Sequence, residues 1–162
     1  MASNLLVPVG SVQCHPRNVR EGDVGAISES LVAHGQYRAI VVQRSSGNIL
    51  AGNHTFRAAV ALGWSEIWVS FHDCDDGEAL RIMLVDNRLS DLAVDDEVGL
   101  VELLRVLAAS DEGLAGTGFD LDDLDSLVND LAHFEVPKEV VEVPVVLVVC
   151  PSCGCEFEGV DG

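Results

Sequence analysis

The residues with the most chemistry per position lie in Ile49-Leu50-Ala51-Gly52-Asn53-His54-Thr55-Phe56-Arg57-Ala58-Ala59. A short apolar strand meets a glycine and turns directly into an alanine-rich helix. The free N–H groups at such a helix start, with its positive dipole end, form an anion site. Gly52 has no Cβ, so a phosphate can approach its backbone closely. Asn53 or Thr55 can cap the helix or touch the anion, and Arg57, one turn in, brings a forked cationic donor. His54 is the candidate catalytic residue, able to donate to a phosphate or act as general acid or base. The same spacing also describes an ordinary tight turn with Asn53 as N-cap, and taken alone it leaves both readings open.

The elements around this turn alternate between strand and helix patterns. Leu5 to Val12 is apolar enough for a strand, and Pro16 forces an extended turn after it. Ile27 and Leu31 share one face of a helix that begins at Asp23 and is ended by Gly35. Ala39 to Gln43 is a buried strand, Ser45 to Asn48 a turn, and Ile49 to Ala51 a second short strand. A helix over 53–62 closes at Gly63, and Glu66 to Phe71 alternates as a strand. Asp75-Asp76 caps a helix over 77–85. Further helices fit 95–109 and 120–131, the second with Leu121, Leu124, Leu127 and Leu131 on one face. Glu142 to Val149 is a final strand-like segment. The front is therefore mixed α/β, and the back is helical and acidic.

Order along the chain adds a resemblance. His15-Pro16-Arg17-Asn18, the Ile27/Leu31 helix, His34-Gly35-Gln36-Tyr37-Arg38-Ala39-Ile40-Val41-Val42, the Gly52 turn and Val85-Asp86-Asn87-Arg88 follow one another. This succession resembles the ParB/sulfiredoxin superfamily, specifically the ParB-like N-terminal ("ParB-like nuclease") domain, over about residues 5–92. The run from Asp86 to Leu107, then Thr117 to Val128, looks like the helical continuation in phage ParB-like proteins and in ParB domains joined to DNA methyltransferases. The resemblance implies a nucleotide-binding domain. Chromosome-partitioning ParB proteins hold CTP phosphates with a Gly-Glu-Arg-Arg-x-Arg-Ala box; Gly52, Arg57 and Ala58 match it, whereas Asn53, His54 and Thr55 replace the acid and two arginines. Asp86-Asn87, with Arg88 beside it, resembles the family's Glu-Asn pair, so Asn87 is expected near Mg²⁺ and the nucleotide. Arg17 matches the family's Pro-Arg, and Gln36 stands where Gln-Pro-Ile is frequent. The replaced residues leave open whether the nucleotide is CTP or ATP and whether a weak NTPase acts on it. Sulfiredoxin has Gly-Cys-His-Arg at this turn; Gly52-Asn53-His54-Thr55 lacks the thiol, so sulfinic-acid reduction is not expected. Nor is nuclease activity, because no carboxylate cluster lies near Gly52 in the sequence.

Charge limits the partners. The 162 residues carry 27 acidic and 9 basic side chains, a net of −18. Residues 1–94 hold 10 acids and 7 arginines, and residues 95–162 hold 17 acids and 2 bases. Contact with DNA would fall to Arg17, Arg20, Arg38, Arg44 and Arg88, since Arg105 is the single base in 95–132. The acidic helices suit a basic protein or a mimic of DNA charge instead, with an ordinary solvated face as the plain alternative. No apolar run reaches the roughly 18–20 residues of a membrane span, and the N-terminus shows no signal pattern, so a cytoplasmic protein is expected; a bacterial host cell and a phage relation are what the resemblance implies. Cys150-Pro151-Ser152-Cys153-Gly154-Cys155 looks like one zinc knuckle. Three thiolates leave one ligand missing, to be supplied by His133 or by a second chain in a homodimer; a relic without metal is the other reading. Cys14 and Cys74 are expected to be lone buried thiols. His15, His34 and His72 are expected to be ordinary surface or turn histidines.

The expected organisation is a ParB/sulfiredoxin-like nucleotide-binding domain over 1–92, an acidic helical extension over 93–134, and a strand with a Cys-rich knuckle over 135–162. The expected function is that of a nucleotide-binding regulatory or DNA-transaction accessory protein. The alternatives are an interaction adaptor or inhibitor with a degenerate site, and a small-molecule phosphotransferase.

Overall fold

The computed structural model describes residues 4–133 and, beyond them, the backbone of two strands at 145–149 and 156–160. In chain order the elements are β1 (Asn4–Pro8), a 3-10 turn (Val9–Ser11), β2 (Gln13–Cys14), α1 (Val24–His34), β3 (Ile40–Gln43), β4 (Asn48–Ala51) and α2 (Asn53–Ala61). There follow β5 (Glu66–His72), α3 (Asp76–Leu92), α4 (Glu97–Ala108), α5 (Leu121–His133), β6 (Val145–Val149) and β7 (Glu156–Val160). Five strands form one sheet in the order β1-β5-β3-β4-β2. β1 pairs antiparallel with β5, β3 parallel with β5, β3 antiparallel with β4, and β2 parallel with β4. β6 and β7 pair antiparallel in a separate unit. The mixed α/β architecture is the one the alternating sequence pattern implies.

Strand alternation divides the sheet into two faces. Ile40 and Val42, Ile49, and Ile67 and Val69 point to one side and meet Leu31 of α1 with Ala58 and Ala59 of α2. The two alanines let α2 lie close to the strands. On the other side, Leu50 is buried and α3 packs over β4, burying Ala79 and Met83. α4 and α5 bury Val101, Leu104 and Leu124 against one another. The helix starts are specified locally. Asp23 accepts hydrogen bonds from the N–H groups of Gly25 and Ala26, and Asp75 from that of Glu78. At α5, Asp120 and Asp123 each accept from the other's backbone N–H.

Three expectations need correction. The apolar run from Leu5 to Val12 is not one strand: it breaks after Pro8, and the Ser11 hydroxyl donates to the Pro8 carbonyl at 2.6 Å to close a 3-10 turn. The helix expected over 77–85 runs on to Leu92, because 86–92 contains no glycine or proline to stop it. Asp86 and Asn87 are therefore inside a helix and do not cap its end. Cys14 and Cys74 are only half-buried. Partial burial, and after it the carboxylates of Glu78, Asp75, Asp73 and Asp76, raise the Cys74 thiol above its ordinary value.

The turn from β4 into α2 leaves no room for a side chain. Gly52 has φ +91°, and a Cβ there would lie 2.6 Å from Ile40 Cγ2. Gly63, which ends α2 at φ +75°, faces open space. Both positions impose left-handed backbone on an L-residue, but only Gly52 adds a collision with the core. Gly52→Ala is expected to cost about 2–4 kcal/mol and Gly63→Ala about 1–2 kcal/mol, read from urea denaturation of the two variants.

Candidate nucleotide site

Gly52 is the N-cap of α2 and supplies no side-chain hydrogen bond to the helix. The first-turn N–H groups of α2 therefore face the turn without a side-chain cap. Two clefts meet there. The larger, about 280 Å³, lies between α1 and the 36–39 loop, with Ile27, Ser30, Leu31, Arg38 and Thr55 in its walls. The smaller, about 130 Å³, is lined by Asn18, Arg20, Asn53, Asn87 and Ser90. Ala51, Gly52, His54 and Asp86 border both. The helix start thus sits where a half-apolar cleft joins a polar one.

Asn53 faces inward. Its side-chain oxygen accepts from the His15 N–H at 3.1 Å, and its amide donates to the Ile49 carbonyl at 3.2 Å. It holds β2, β4 and the turn together and is 5% exposed, which takes its side chain out of play for an anion. His15, expected as a surface or turn histidine, is buried, and its Nδ1 accepts from the Arg17 N–H. Gln36 lines the larger cleft with its amide already engaged. Its oxygen accepts from the Trp68 N–H at 2.7 Å, and its nitrogen donates to the carbonyls of Trp68 and Arg38. The side chain thereby continues the β5 ladder past the start of β3 and fixes the loop carrying Arg38.

The loop between β2 and α1 ties α2 to α3. His54 Nε2 lies 3.1 Å from the Arg20 carbonyl, and the Arg20 guanidinium donates to the Asn87 carbonyl and pairs with Asp91 at 2.8 Å. That guanidinium, by hydrogen bond and by charge, holds the Asp91 carboxyl below its ordinary value, and Asp91 raises Arg20 in turn. Arg20 and Asn18 are site-lining residues that sequence reading did not place at the turn; two polar side chains just after His15-Pro16 were the available signal. Across the larger cleft, Arg38 lies 3.7 Å from Asp86 and is 75% exposed.

Of the residues expected at the site, the structure gathers Gln36, Gly52, Asn53, His54, Thr55, Asp86 and Asn87 around the two clefts. Arg17, Arg57 and Arg88 are exposed and line neither. Among the arginines expected to face DNA, Arg20, Arg38 and Arg44 pair with Asp91, Asp86 and Asp73. Cys150, Cys153 and Cys155 lie outside the described residues. Among the described residues no cluster of three histidine, cysteine or acidic side chains is arranged for a metal, and no helix is long and apolar enough to cross a membrane.

The model of the ParB N-terminal domain matches residues 6–88, just over half of the chain. The chain belongs to the ParB N-terminal domain family. It is 28% identical over 134 residues to a nucleoid occlusion protein of Lysinibacillus sphaericus, covering 77% of this chain and 43% of that protein. It is also 28% identical over 105 residues to one of Halalkalibacterium halodurans, covering 62% of this chain and 37% of that protein. The chain therefore spans less than half the length of these relatives. Its fold is similar to that of the C-terminally truncated chromosome-partitioning protein ParB of Caulobacter crescentus complexed with CTP-γ-S, with TM-score 0.67 and 22% identity over 80% of this chain and 79% of that one.

Two measurements check this geometry. Asn53→Ala strands the buried His15 N–H and Ile49 carbonyl, so a loss of about 2–3 kcal/mol is expected in denaturant. The Asp91 carboxyl is depressed in the folded state, so its stabilising contribution is complete above the ordinary carboxylate value, about 3.9, and is lost as pH falls through the lower folded value. Asp91→Asn should flatten that acid limb in thermal melts from pH 2 to pH 7 and leave the slope above pH 6 unchanged.

Proposed function

We propose that this chain binds a nucleoside triphosphate, CTP or ATP, with Mg²⁺ at the Gly52 turn, as the nucleotide-binding part of a regulatory or DNA-transaction accessory protein. The observation that carries the reading is the uncapped start of α2 at the junction of a half-apolar and a polar cleft, in the fold of a ParB that was seen with CTP-γ-S. In this reading the phosphates lie against Gly52 and the N–H groups of His54 and Thr55, and the base enters the larger cleft between Ile27 and Leu31. Arg38 releases Asp86 and turns to the phosphates. The hard oxygens of Asp86 and Asn87, both on the polar cleft, suit Mg²⁺, which would offset phosphate charge there. Arg17, Arg57 and Arg88 enter as second contacts only if ligand binding draws them in. The cytoplasm of a bacterial host cell, a phage origin and contact with DNA through the exposed Arg17 and Arg88 belong to the same reading. So does a homodimer clasped by zinc at Cys150, Cys153 and Cys155.

One observation favours a second reading, an adaptor that keeps the fold without the ligand: Arg20 and Arg38, the arginines that line the two clefts, are each paired with a carboxylate. Calorimetry of the chain with CTP, ATP and GTP, each with Mg²⁺, separates the two. Binding of one triphosphate is expected, weakened about tenfold by Arg38→Ala, which corresponds to about 1.4 kcal/mol. Removing Mg²⁺ is expected to weaken it further. No heat with any of the three leaves the adaptor.

A further inference from the structure

Helix α4 is apolar on two sides. Val101 and Leu104 are buried against α5, whereas Leu103 and Val106, on the opposite side, are 65% and 71% exposed. Gly99, Leu103 and Val106 follow the i, i+4, i+7 spacing of one helix face, so they form a row along its outer side. The missing side chain at Gly99 lowers one end of that row, leaving a shallow groove of about 540 Å³. Asp95, Asp96 and Glu102 stand along it. Asp96 is the N-cap of α4 but makes no side-chain capping bond, and none of the three carboxylates is in an ion pair among the described residues. A row of exposed apolar side chains edged by such carboxylates has the form of a recognition surface rather than a solvated helix face.

Charge selects the occupant. Residues 95–131 hold eleven acidic side chains and one basic one, Arg105. A nucleic acid would be repelled. A second copy would bring another net −18. The chain's own residues 134–162 hold six acids and a single base, Lys138, and so offer no complementary charge. We propose that the outer face of α4 docks an amphipathic helix of a basic protein partner, its apolar side on Leu103 and Val106 and its arginines or lysines on Asp95, Asp96 and Glu102. This is the helix-in-groove mode of recognition, with charge setting approach and the apolar row setting register. It is independent of whether the Gly52 turn holds a nucleotide.

The test titrates the full chain with three labelled synthetic peptides and follows fluorescence anisotropy. One is a helix former with leucines on one face and arginines on the other; one has the same composition with the leucines scattered; one replaces the arginines with glutamates. The first is expected to bind with a Kd on the order of 10 μM, at least tenfold tighter than either of the others. Leu103→Ser with Val106→Ser is expected to weaken it at least tenfold. Asp95→Asn, Asp96→Asn and Glu102→Gln together should weaken it and flatten its salt dependence. Val60→Ser, at an exposed apolar residue on α2, should change nothing, and circular dichroism checks that each variant keeps its fold. Equal binding of the scattered peptide would overturn the proposal by reducing the effect to charge alone. It would also be overturned if no peptide bound, as when a second copy or residues 134–162 hold the groove, or if Leu103→Ser with Val106→Ser turned a dimer into a monomer in sedimentation.

Discussion

The contact between the Gly52 backbone and the Ile40 side chain sets the spacing on which the rest of the domain depends. Ile40 begins β3 and is 2% exposed; Gly52 ends the strand paired with it. With no Cβ between them, α2 can start directly from the sheet instead of after a longer loop. Ala58 and Ala59 extend the close approach, because small side chains let the helix settle onto the strands. The first turn of α2 is then held at one place relative to α1, the 36–39 loop and α3. A bulkier residue at 52 would move all of these at once, and both clefts are defined by their separation.

Inside that frame, polar side chains do the joining. Asn53 links the turn to His15, Gln36 stands in for a missing strand residue beside Trp68, and Gln43, 1% exposed, donates to the Cys74 carbonyl and to Asp76 at the start of α3. Each satisfies backbone groups that burial would otherwise leave costly. This separates two jobs that sequence reading combines. Amides close to the turn are structural, whereas the backbone N–H groups, His54, Thr55 and Asp86 border the open volume. A polar residue next to a glycine turn is ambiguous until it is known which side of the turn it faces, and Asn53 faces the core.

The elements legible in the sequence were those with strong local signals: the β-branched run of β3, the alanine-rich α2, the Asp75 cap and the leucine spacing of α5. Elements depending on distant partners were less legible. The break after Pro8 needs Ser11 to fold back, and the end of α3 is decided by extended backbone at Ala93, not by any stop residue in 86–92. For the site, the glycine turn and the Asp86-Asn87 pair were visible from residue order. Arg20 was not, because its partners Asn87 and Asp91 lie 67 positions or more away and meet it only after α3 has crossed β4. Arg57 had the right chemistry, but its side chain is exposed on α2 and lines neither cleft.

The ion pairs also bear on how an anion would enter. Arg38 is 75% exposed and Asp86 38%, a pair in high dielectric, and such pairs contribute between nothing and about 1 kcal/mol. Separating them costs little, whereas a guanidinium–phosphate contact at a helix start is charge-assisted and can be bidentate. Arg20 differs, since its guanidinium also donates to the Asn87 carbonyl while its own carbonyl meets His54. Releasing it would loosen the loop, α2 and α3 together. In the proposed reading the two arginines bordering the turn would therefore divide the work: Arg38 would exchange one anion for another, and Arg20 would keep the walls in place.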